Sequence, residues 1–182
     1  MKVAAKEYEL KTGEKVLIRE GNESDSKALL DTVRQYVVTS RYLIVAPSEL
    51  EQSVADEAKW IKELHLNPNS LLLLALHNGT VIGNLDLTGS EEEYDDQSGL
   101  ITMGILPEYQ SKGLGSILLR EAVAWARRQH QLQVLCLQVE RANTSAVRLY
   151  QKAGFQIEGA QANVAPDEQV DNSKSLIMSL NL

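Results

Sequence analysis

The residues best placed to do chemistry follow a short apolar segment in the middle of the chain. Residues 101–106 are apolar and partly β-branched, which predicts a strand, and Pro107 ends it because proline has no N–H for the ladder. A tight turn, Gln-Ser-Lys-Gly-Leu-Gly, occupies 110–115, and apolar residues at helical spacing predict a helix over 116–130. Such a turn favours anions, because the first N–H groups of a helix lack partners and its dipole is positive there.

The spacing of the glycines narrows the choice of anion. A P-loop requires Gly-Lys-Ser/Thr, and a dinucleotide-binding fingerprint requires a third glycine where Leu118 stands, so neither pattern is met. What remains is Gln-x-x-Gly-x-Gly, preceded by Leu-Pro-Glu-Tyr. Gly113 and Gly115 have no Cβ, which lets a phosphate come close to the backbone. On these residues alone, a glycine-rich turn without a ligand is the alternative.

A second segment adds an independent pattern. Residues 137–155 read Leu-Gln-Val-Glu-Arg-Ala-Asn-Thr-Ser-Ala-Val-Arg-Leu-Tyr-Gln-Lys-Ala-Gly-Phe. This predicts a strand, a helix capped near Asn143 or Thr144, and a helix stop at Gly154. In order and separation, the two segments resemble the two signatures of the GCN5-related N-acetyltransferases, the GNAT superfamily. The resemblance runs from about Val16 to the C-terminus.

The resemblance implies the fold. It is α/β, of the mixed α+β kind: one mixed central sheet with helices on both faces, in which the family's strands 4 and 5 are parallel and splay apart to admit the pantetheine arm. We expect a single domain over 1–182, with a hairpin at 1–20 leading into the sheet. The branch that looks most similar is that of the ribosomal-protein and polyamine acetyltransferases.

The same resemblance implies acetyl-CoA as cosubstrate and names the residues that would hold it. Backbone N–H groups of the turn would bind the diphosphate, with Lys112 adding charge, and the strand edge near Ile105 would pair with the pantetheine amides. The expected cofactor-binding residues are Ile105, Leu106, Gln110, Ser111, Lys112, Gly113, Leu114, Gly115, Ser116, Asn143 and Tyr150.

Two groups are expected to act in catalysis. By resemblance, the N–H of Ile105 stabilises the oxyanion and Tyr150 protonates the departing thiolate. A phenol titrates near ~10 and a thiol near ~8.5, so the phenol is protonated at neutral pH. The plainer alternatives are that Tyr150 is a core aromatic residue and that Asn143 only caps its helix.

The general base is not assigned. An alkyl amine with a pKa near ~10.4 is charged at neutral pH, so some group must take its proton. Some protein-acetylating relatives have a glutamate where this chain has Gln138, and glutamine cannot be a base. Glu140, Asp86 and Glu49 are the candidates. The acidic segment 91–96 is either a solvated hairpin tip or a rim that attracts amines.

The amino-acid composition indicates which kinds of partner and ligand the protein binds. Eighteen basic and 25 acidic residues give a net charge of −7, which disfavours nucleic acid and acidic membranes and favours a cationic amine. No apolar stretch approaches the ~18 residues of a membrane span. A single cysteine excludes an internal disulfide and fits the cytoplasm. The histidines lack ligand spacing, so we expect no metal.

These inferences predict an N-acetyltransferase that moves an acetyl group directly from acetyl-CoA to a primary amine. The acceptor is left open between a small-molecule amine, a polyamine and a peptide α-amine. The oligomeric state is also left open, with a homodimer possible. The alternative is a non-catalytic acyl-CoA-binding sensor. An acetylator of aminoacyl-tRNA is disfavoured by the acidic charge.

The remaining elements must position these residues. Asn78-Gly79 predicts a hairpin between two apolar strands. A helix is expected from Asn22 or Ser24 to Tyr36, with Ala28 among its inward residues. Another is expected from a Ser48–Glu51 capping box to about Leu66. The other predicted elements are strands at 8–11, 16–19, 71–76, 81–87, 134–139, 155–158 and 176–180 and a helix at 145–153.

Overall fold

The computed structural model describes residues 3–42, 51–90, 97–159 and 175–182. In these residues the strands form one eight-stranded sheet in the order β1-β2-β3-β4-β5-β6-β8-β7. The strands are β1 (Lys6–Glu9), β2 (Lys15–Glu20), β3 (Leu71–His77), β4 (Thr80–Gly89), β5 (Ser98–Ile105), β6 (Val134–Glu140), β7 (Gln156–Gly159) and β8 (Ser175–Asn181). The predicted strands are all present, with ends that move by a few residues.

The helices cover both faces of this sheet. They are α1 (Ser26–Thr39), α2 (Val54–Leu66), α3 (Leu114–Ala126) and α4 (Thr144–Lys152), with short 3-10 turns at Glu23–Asp25 and Pro107–Tyr109. Apolar residues of β3 alternate between the two faces, since successive side chains of a strand point to opposite sides. Leu72 and Leu74 pack with Leu29 and Ile61 on what we call the α1–α2 face. The opposite side, the α3 face, holds the larger core.

The strand pairing confirms the predicted splay. Strands β1 to β5 pair antiparallel in sequence order, whereas β5 and β6 pair in parallel. That parallel pairing ends at Leu100 and Cys136. Beyond it, β5 stays paired with β4 as far as Ile105, and β6 stays paired with β8 as far as Glu140. The sheet therefore opens between the last residues of β5 and β6. These are the family's strands 4 and 5, because β1 precedes the family's first strand.

Helix α2 begins later than predicted. Residues 51–53 are not helical, and the capping box is formed by Ser53 and Asp56. The Asp56 N–H donates to the Ser53 hydroxyl at 3.2 Å, and the Ser53 N–H donates to the Asp56 carboxylate at 3.0 Å. Both Ser48–Glu51 and Ser53–Asp56 fit the capping pattern, so sequence could not separate them. The predicted cap Ser48 and the acidic segment 91–96 lie outside the described residues.

Helix α1 lies against β4 through a polar contact as well as apolar ones. The Thr32 hydroxyl donates to the Val81 carbonyl oxygen at 3.0 Å, and Leu29 and Leu30 are buried beside it. The expected inward position of Ala28 is wrong, because Ala28 is exposed. Tyr36 is buried, as predicted, and it brings the end of α1 towards β5.

Candidate active site

The turn after β5 has the backbone of an anion site. Ser111 and Gly113 are both left-handed, with φ of 60° and 96°. Helix α3 begins at Leu114, two residues before the predicted start, and the Ile117 N–H donates to the Gly113 carbonyl oxygen at 3.2 Å. Within the described residues, the N–H groups of 111–116 have no acceptor. Successive free N–H groups in such a conformation form a concavity that suits a phosphate.

The two glycines of this turn are needed for different reasons. Gly113 has a positive φ, which other residues rarely adopt, and it caps α3. A Cβ at Gly115 would lie 3.0 Å from Leu149 Cδ2 and 3.5 Å from Ile105 Cδ1. Gly115 therefore lets α3 pack closely against α4 and β5. The close packing at Gly115 comes in addition to its backbone N–H, which has no acceptor among the described residues, as at Gly113.

Lys112 is already paired with a carboxylate. Its ammonium group contacts Glu14 of the β1–β2 hairpin and lies 5.3 Å from the centre of the Tyr109 ring. The Lys112 ammonium, followed by the Thr12 hydroxyl, lowers the pKa of Glu14 to about 2. The positive charge expected from Lys112 at the phosphates is thus largely balanced by Glu14.

A second lysine, Lys11, also reaches the turn. The sequence did not indicate it. The backbone N–H of Lys11 donates to the Lys112 carbonyl oxygen at 3.0 Å. The Lys11 side chain crosses Gly113, with its Cε 3.6 Å from the position a Cβ would take there. No hydrogen bond or ion pair of the Lys11 ammonium occurs among the described residues. Lys11 is far from the turn in sequence, so no local signal could have found it.

Ile105 presents its N–H to the open side of β5. The N–H of the next residue, Leu106, donates to the Ile82 carbonyl oxygen at 3.0 Å, so alternate residues of β5 point towards β4 and those between them point away. The N–H groups of Met103 and Ile105 therefore face the gap left by β6. Leu106 differs, because its carbonyl oxygen accepts from the Tyr109 N–H at 2.9 Å. The Leu106 N–H is therefore engaged with β4 and does not face the gap.

Tyr150 lies on the sheet side of α4. It is 7% exposed, and its ring packs edge-on against Phe155 with centroids 5.9 Å apart. Its hydroxyl has no hydrogen-bond partner among the described residues. Every fully enclosed side-chain polar atom of those residues does have a partner. The hydroxyl must therefore reach accessible space. Burial raises the pKa of Tyr150 to about 12.

That shift bears on the expected acid role. A higher pKa makes the phenol a weaker acid, which is the opposite of what proton donation needs. However, burial also raises the pKa of a thiol lying beside it, since both anions lose hydration. The difference between the two pKa values, ~1.5 in water, is the relevant quantity. Tyr150 remains suited to donate to a thiolate in the same buried environment.

Asn143 performs its structural role directly. It caps α4, with its side-chain oxygen accepting from the Ala146 N–H at 3.2 Å. Its side-chain NH₂ group makes no hydrogen bond in the described part of the chain, so capping leaves that donor available. Gln110 is also engaged: its NH₂ group donates to the Ile105 carbonyl oxygen at 2.8 Å.

The three candidate bases are placed very differently. Asp86 lies in β4 opposite Thr102 of β5, on the α1–α2 face. Burial, with a further contribution from the negative charge of Glu57, raises the pKa of Asp86 to about 7. Glu140 ends β6 and is half-buried. Glu49 lies outside the described residues. Sequence reasoning missed Tyr36, Glu57 and Asn84, which surround Asp86, because only packing brings them together.

Two features of the described residues concern other kinds of site. No group of three or more His, Cys, Asp or Glu side chains there is arranged to hold a metal ion. Of the helices in the described ranges, none has both the length and the apolar composition to cross a membrane.

Several known proteins are similar to this chain. N-alpha-acetyltransferase RimI of Mycobacterium tuberculosis is 31% identical over 90 residues, which is 50% of this chain and 54% of that protein. A GNAT-family acetyltransferase from Streptococcus pneumoniae has 28% identity and a TM-score of 0.83, over 92% of this chain and 99% of that one. The yncA protein of Salmonella typhimurium shares the fold, with a TM-score of 0.78 at 20% identity over 92% and 94% of the two chains.

The extent of these matches differs. The chain spans only 44% to 54% of the length of the curated relatives it matches. The sequence model of the acetyltransferase (GNAT) family matches residues 31–155, which include the turn, the splayed strands and Tyr150. This protein belongs to the acetyltransferase (GNAT) family.

Proposed function

We propose that this chain transfers the acetyl group of acetyl-CoA directly to a primary amine. One observation carries the proposal: the parallel pairing of β5 and β6 ends at Leu100 and Cys136, directly before residues whose N–H groups face the resulting gap. An edge of this kind pairs with extended amides, and the free N–H groups of 111–116 lie where the strand ends. The site therefore suits a ligand that has a diphosphate at one end and amides along its length.

Acetyl-CoA fits that description, and the structurally similar yncA protein was solved with it. The diphosphate would lie on the N–H groups of Ser111, Lys112, Gly113, Leu114, Gly115 and Ser116, and the pantetheine amides along Met103 and Ile105. When bound, acetyl-CoA supplies a thioester as acetyl donor. The chain then needs an oxyanion donor and an acid for the thiolate, for which we propose the Ile105 N–H and Tyr150.

Direct transfer requires the acceptor to reach the thioester from the other face of the sheet. Tyr150 and α4 lie on the α3 face, whereas Thr102 and Gln138 are exposed on the α1–α2 face. We propose that the amine approaches there. Thus the acceptor and Tyr150 meet the acetyl group from opposite sides, and no residue of the chain needs to carry the acetyl group.

The acceptor class follows from charge and from the names of relatives. The net charge of −7 favours a cation over nucleic acid or an acidic membrane surface. RimI is named an N-alpha-acetyltransferase, and a similar structure from Brucella melitensis is a ribosomal-protein-alanine N-acetyltransferase. An α-amine with a pKa near ~8 loses its proton more easily than an alkyl amine. We therefore propose a peptide α-amine as the first candidate acceptor and a polyamine or another small amine as the second. We propose that the reaction takes place in the cytoplasm.

A thiol-release assay tests this function. Purified protein is mixed with acetyl-CoA and a panel that contains an alanine-terminated peptide, spermidine and n-butylamine, and free CoA is followed with a thiol reagent. We expect release with at least one amine, and a mass increase of one acetyl group on that amine. If calorimetry detects acetyl-CoA binding but no amine gives release, the protein is an acyl-CoA-binding sensor and the proposed activity is wrong.

A further inference from the structure

The α1–α2 face carries a row of polar side chains beside the end of β5. In the pairing of β4 with β5, Asn84 lies opposite Gly104 and Asp86 opposite Thr102. Paired residues of an antiparallel ladder share a face, so both side chains lie on the side of the sheet that Gly104 shows. The ring of Tyr36 covers Gly104, because a Cβ there would lie 2.1 Å from Tyr36 Cζ.

These side chains are joined by hydrogen bonds. The Tyr36 hydroxyl donates to the Asn84 side-chain oxygen at 3.0 Å. The Asn84 NH₂ group donates over a longer 3.4 Å to the Asp86 carboxylate, and the Thr102 hydroxyl lowers the pKa of that carboxyl against the larger effect of burial. Asn84 is 4% exposed, so its amide has a fixed orientation. The row therefore holds the Asp86 carboxylate in one place, with Thr102 on its β5 side.

A second carboxylate lies on the same side of the sheet, on the inward face of α2. Glu57 lies in the first turn of α2 on the helix face shared with Ile61 and Leu64, and it is 6% exposed. It makes no hydrogen bond or ion pair with the described residues. In the described residues, every fully enclosed side-chain oxygen has a hydrogen-bond partner. The Glu57 oxygens have none, so they are not fully enclosed and must touch accessible space. A buried carboxylate without a partner is unfavourable, and a cation would offset that cost.

The two carboxylates interact electrostatically. The charge of Glu57 raises the pKa of Asp86 and also that of Tyr36, each in addition to the larger effect of burial. The groups around Asp86 are Tyr36 from α1, Glu57 from α2, Asn84 from its own strand, Thr102 from β5 and the apolar Leu72 from β3. None of these described residues around Asp86 is basic.

We propose that Asp86 is the general base for the acceptor amine and that Glu57 binds the acceptor's ammonium group beside it. This inference rests on the proposed acetyl transfer and assigns its acceptor subsite. Thr102 and Ile105 are three residues apart, which is about 10 Å along a strand. The amine and one water molecule can span the distance between Asp86 and an acetyl group held at Ile105.

The proton steps balance as follows. Asp86 takes one proton, through water, from the ammonium group and leaves a neutral amine. The amine forms the new C–N bond with the acetyl carbon while the C–S bond breaks and its electron pair goes to sulfur. Tyr150 gives its proton to sulfur and regains one, through water, from the acetylated nitrogen. Asp86 then releases its proton to solvent, so that one amide, one thiol and one proton are formed.

Kinetics on the best amine of the panel test the two roles separately. Asp86→Asn should lower kcat by about 10²- to 10⁴-fold and remove the rise of kcat/KM through about pH 7, since the base must be ionised. Glu57→Gln should raise KM by about tenfold with a much smaller change in kcat. It should also move the rise to lower pH, because the charge that raises the pKa of Asp86 is gone.

Matched controls exist on the same helices. Glu63→Gln on α2 and Asp31→Asn on α1 remove exposed carboxylates that pair with Lys59 and Lys27, and neither should change KM or the pH profile. Asp86→Glu keeps a carboxylate and should recover part of the activity. If Asp86→Asn, folded as judged by its melting curve, retains the wild-type pH profile, the assignment of the base is wrong although the acetyltransferase activity stands.

A binding experiment does not depend on turnover. In protein with ¹³C-labelled carboxyl groups, Asp86 should titrate near pH 7 by NMR. Millimolar n-butylamine should shift the Asp86 and Glu57 resonances, whereas the uncharged n-butanol should not, and Glu57→Gln should weaken the amine effect about fivefold or more. An Asp86 titration near pH 4, or equal effects of amine and alcohol, would overturn the proposal. Carboxyl shifts without turnover on any amine would contradict the proposed function instead.

Discussion

The side-chain amide of Gln110 donates a hydrogen bond to the carbonyl oxygen of Ile105, with 2.8 Å between nitrogen and oxygen. Gln110 opens the turn that is proposed to hold the diphosphate, and Ile105 carries the N–H that is proposed to stabilise the oxyanion. The bond therefore fixes the end of β5 to the start of the turn. It orients the peptide group next to the reacting carbonyl without itself having to contact the acetyl group.

The Gln110→Ala variant should mainly affect catalysis. Loss of this donor frees the peptide group that follows Ile105, and a resulting small shift of the Ile105 N–H, in the preceding peptide group, lowers the rate strongly. We expect kcat to fall about 5- to 50-fold while the Kd for acetyl-CoA, measured by calorimetry, changes less than about threefold. Gln151→Ala, in the exposed part of α4, is the control. A Kd that rises as much as kcat falls would instead make Gln110 a direct ligand of the cofactor.

The local parts of this site were predictable from the sequence. The strand, the turn and the helix around Gly113 depend on neighbouring residues, and so does the cap at Asn143. The contacts that parts distant in sequence make at this site were not predictable. Gly115 looks identical to Gly113 in the motif, but its neighbour Leu149 comes from another helix. Helix propensity and glycine spacing hold no information on such a contact.

Lys11 provides a test of a tertiary contact at the turn. The β1–β2 hairpin is fixed to α3, since the Tyr8 hydroxyl donates to the Glu121 carboxylate at 2.6 Å. This places Lys11 across Gly113 with no partner for its ammonium group in the described residues. We expect Lys11→Ala to weaken acetyl-CoA binding about three- to tenfold at low salt, with a smaller effect at high salt because screening reduces the attraction.

The comparison of CoA with dephospho-CoA locates the contact made by Lys11. Lys15→Ala, an exposed lysine of the same hairpin, is the control and should leave both affinities unchanged. If Lys11 contacts the diphosphate, Lys11→Ala weakens CoA and dephospho-CoA equally. If it contacts the 3′-phosphate, only CoA is affected. Unchanged affinity for both ligands would show that Lys11 serves only the packing of the hairpin.

Tyr150 should be required for turnover but not for cofactor affinity. Tyr150→Phe keeps the ring that packs against Phe155 and removes the hydroxyl, which makes no hydrogen bond with the described residues. The fold should therefore be unchanged. We expect kcat to fall about 10²-fold or more, because a thiolate must leave without its acid, and the Kd for acetyl-CoA to stay within about twofold. Rapid-quench measurement of a single turnover separates this step from product release. Unchanged turnover would remove Tyr150 from the mechanism.

The base could not be chosen from the sequence for a physical reason. The pKa of a carboxyl group depends on what is packed around it, and the groups around Asp86 come from α1, α2 and β5. Nothing in the residues next to Asp86 distinguishes it from Glu140, which is half-buried at the end of β6. Burial and a neighbouring negative charge make the difference, and both are properties of the folded chain.

The raised pKa of Asp86 should also be measurable as a dependence of stability on pH. The folded protein holds this proton up to about pH 7, whereas the unfolded chain releases it near ~4. The stability that the group contributes is thus fully present below pH ~4 and is lost as the pH rises through 7. Asp86→Asn has no such titration. Relative to wild type, it should gain about 2–3 kcal/mol in the free energy of unfolding between pH 5 and pH 8, because the folded protein holds one extra proton over about two pH units of that range.

Urea denaturation of both proteins at pH 5, 6, 7 and 8 measures that difference, with Asp31→Asn as an exposed control that should follow wild type. The variant then gains stability under the conditions in which it loses catalysis, as expected where a buried ionisable group is kept for function. If wild type and Asp86→Asn change in parallel over this range, Asp86 titrates normally, and no base poised near neutral pH is present in β4.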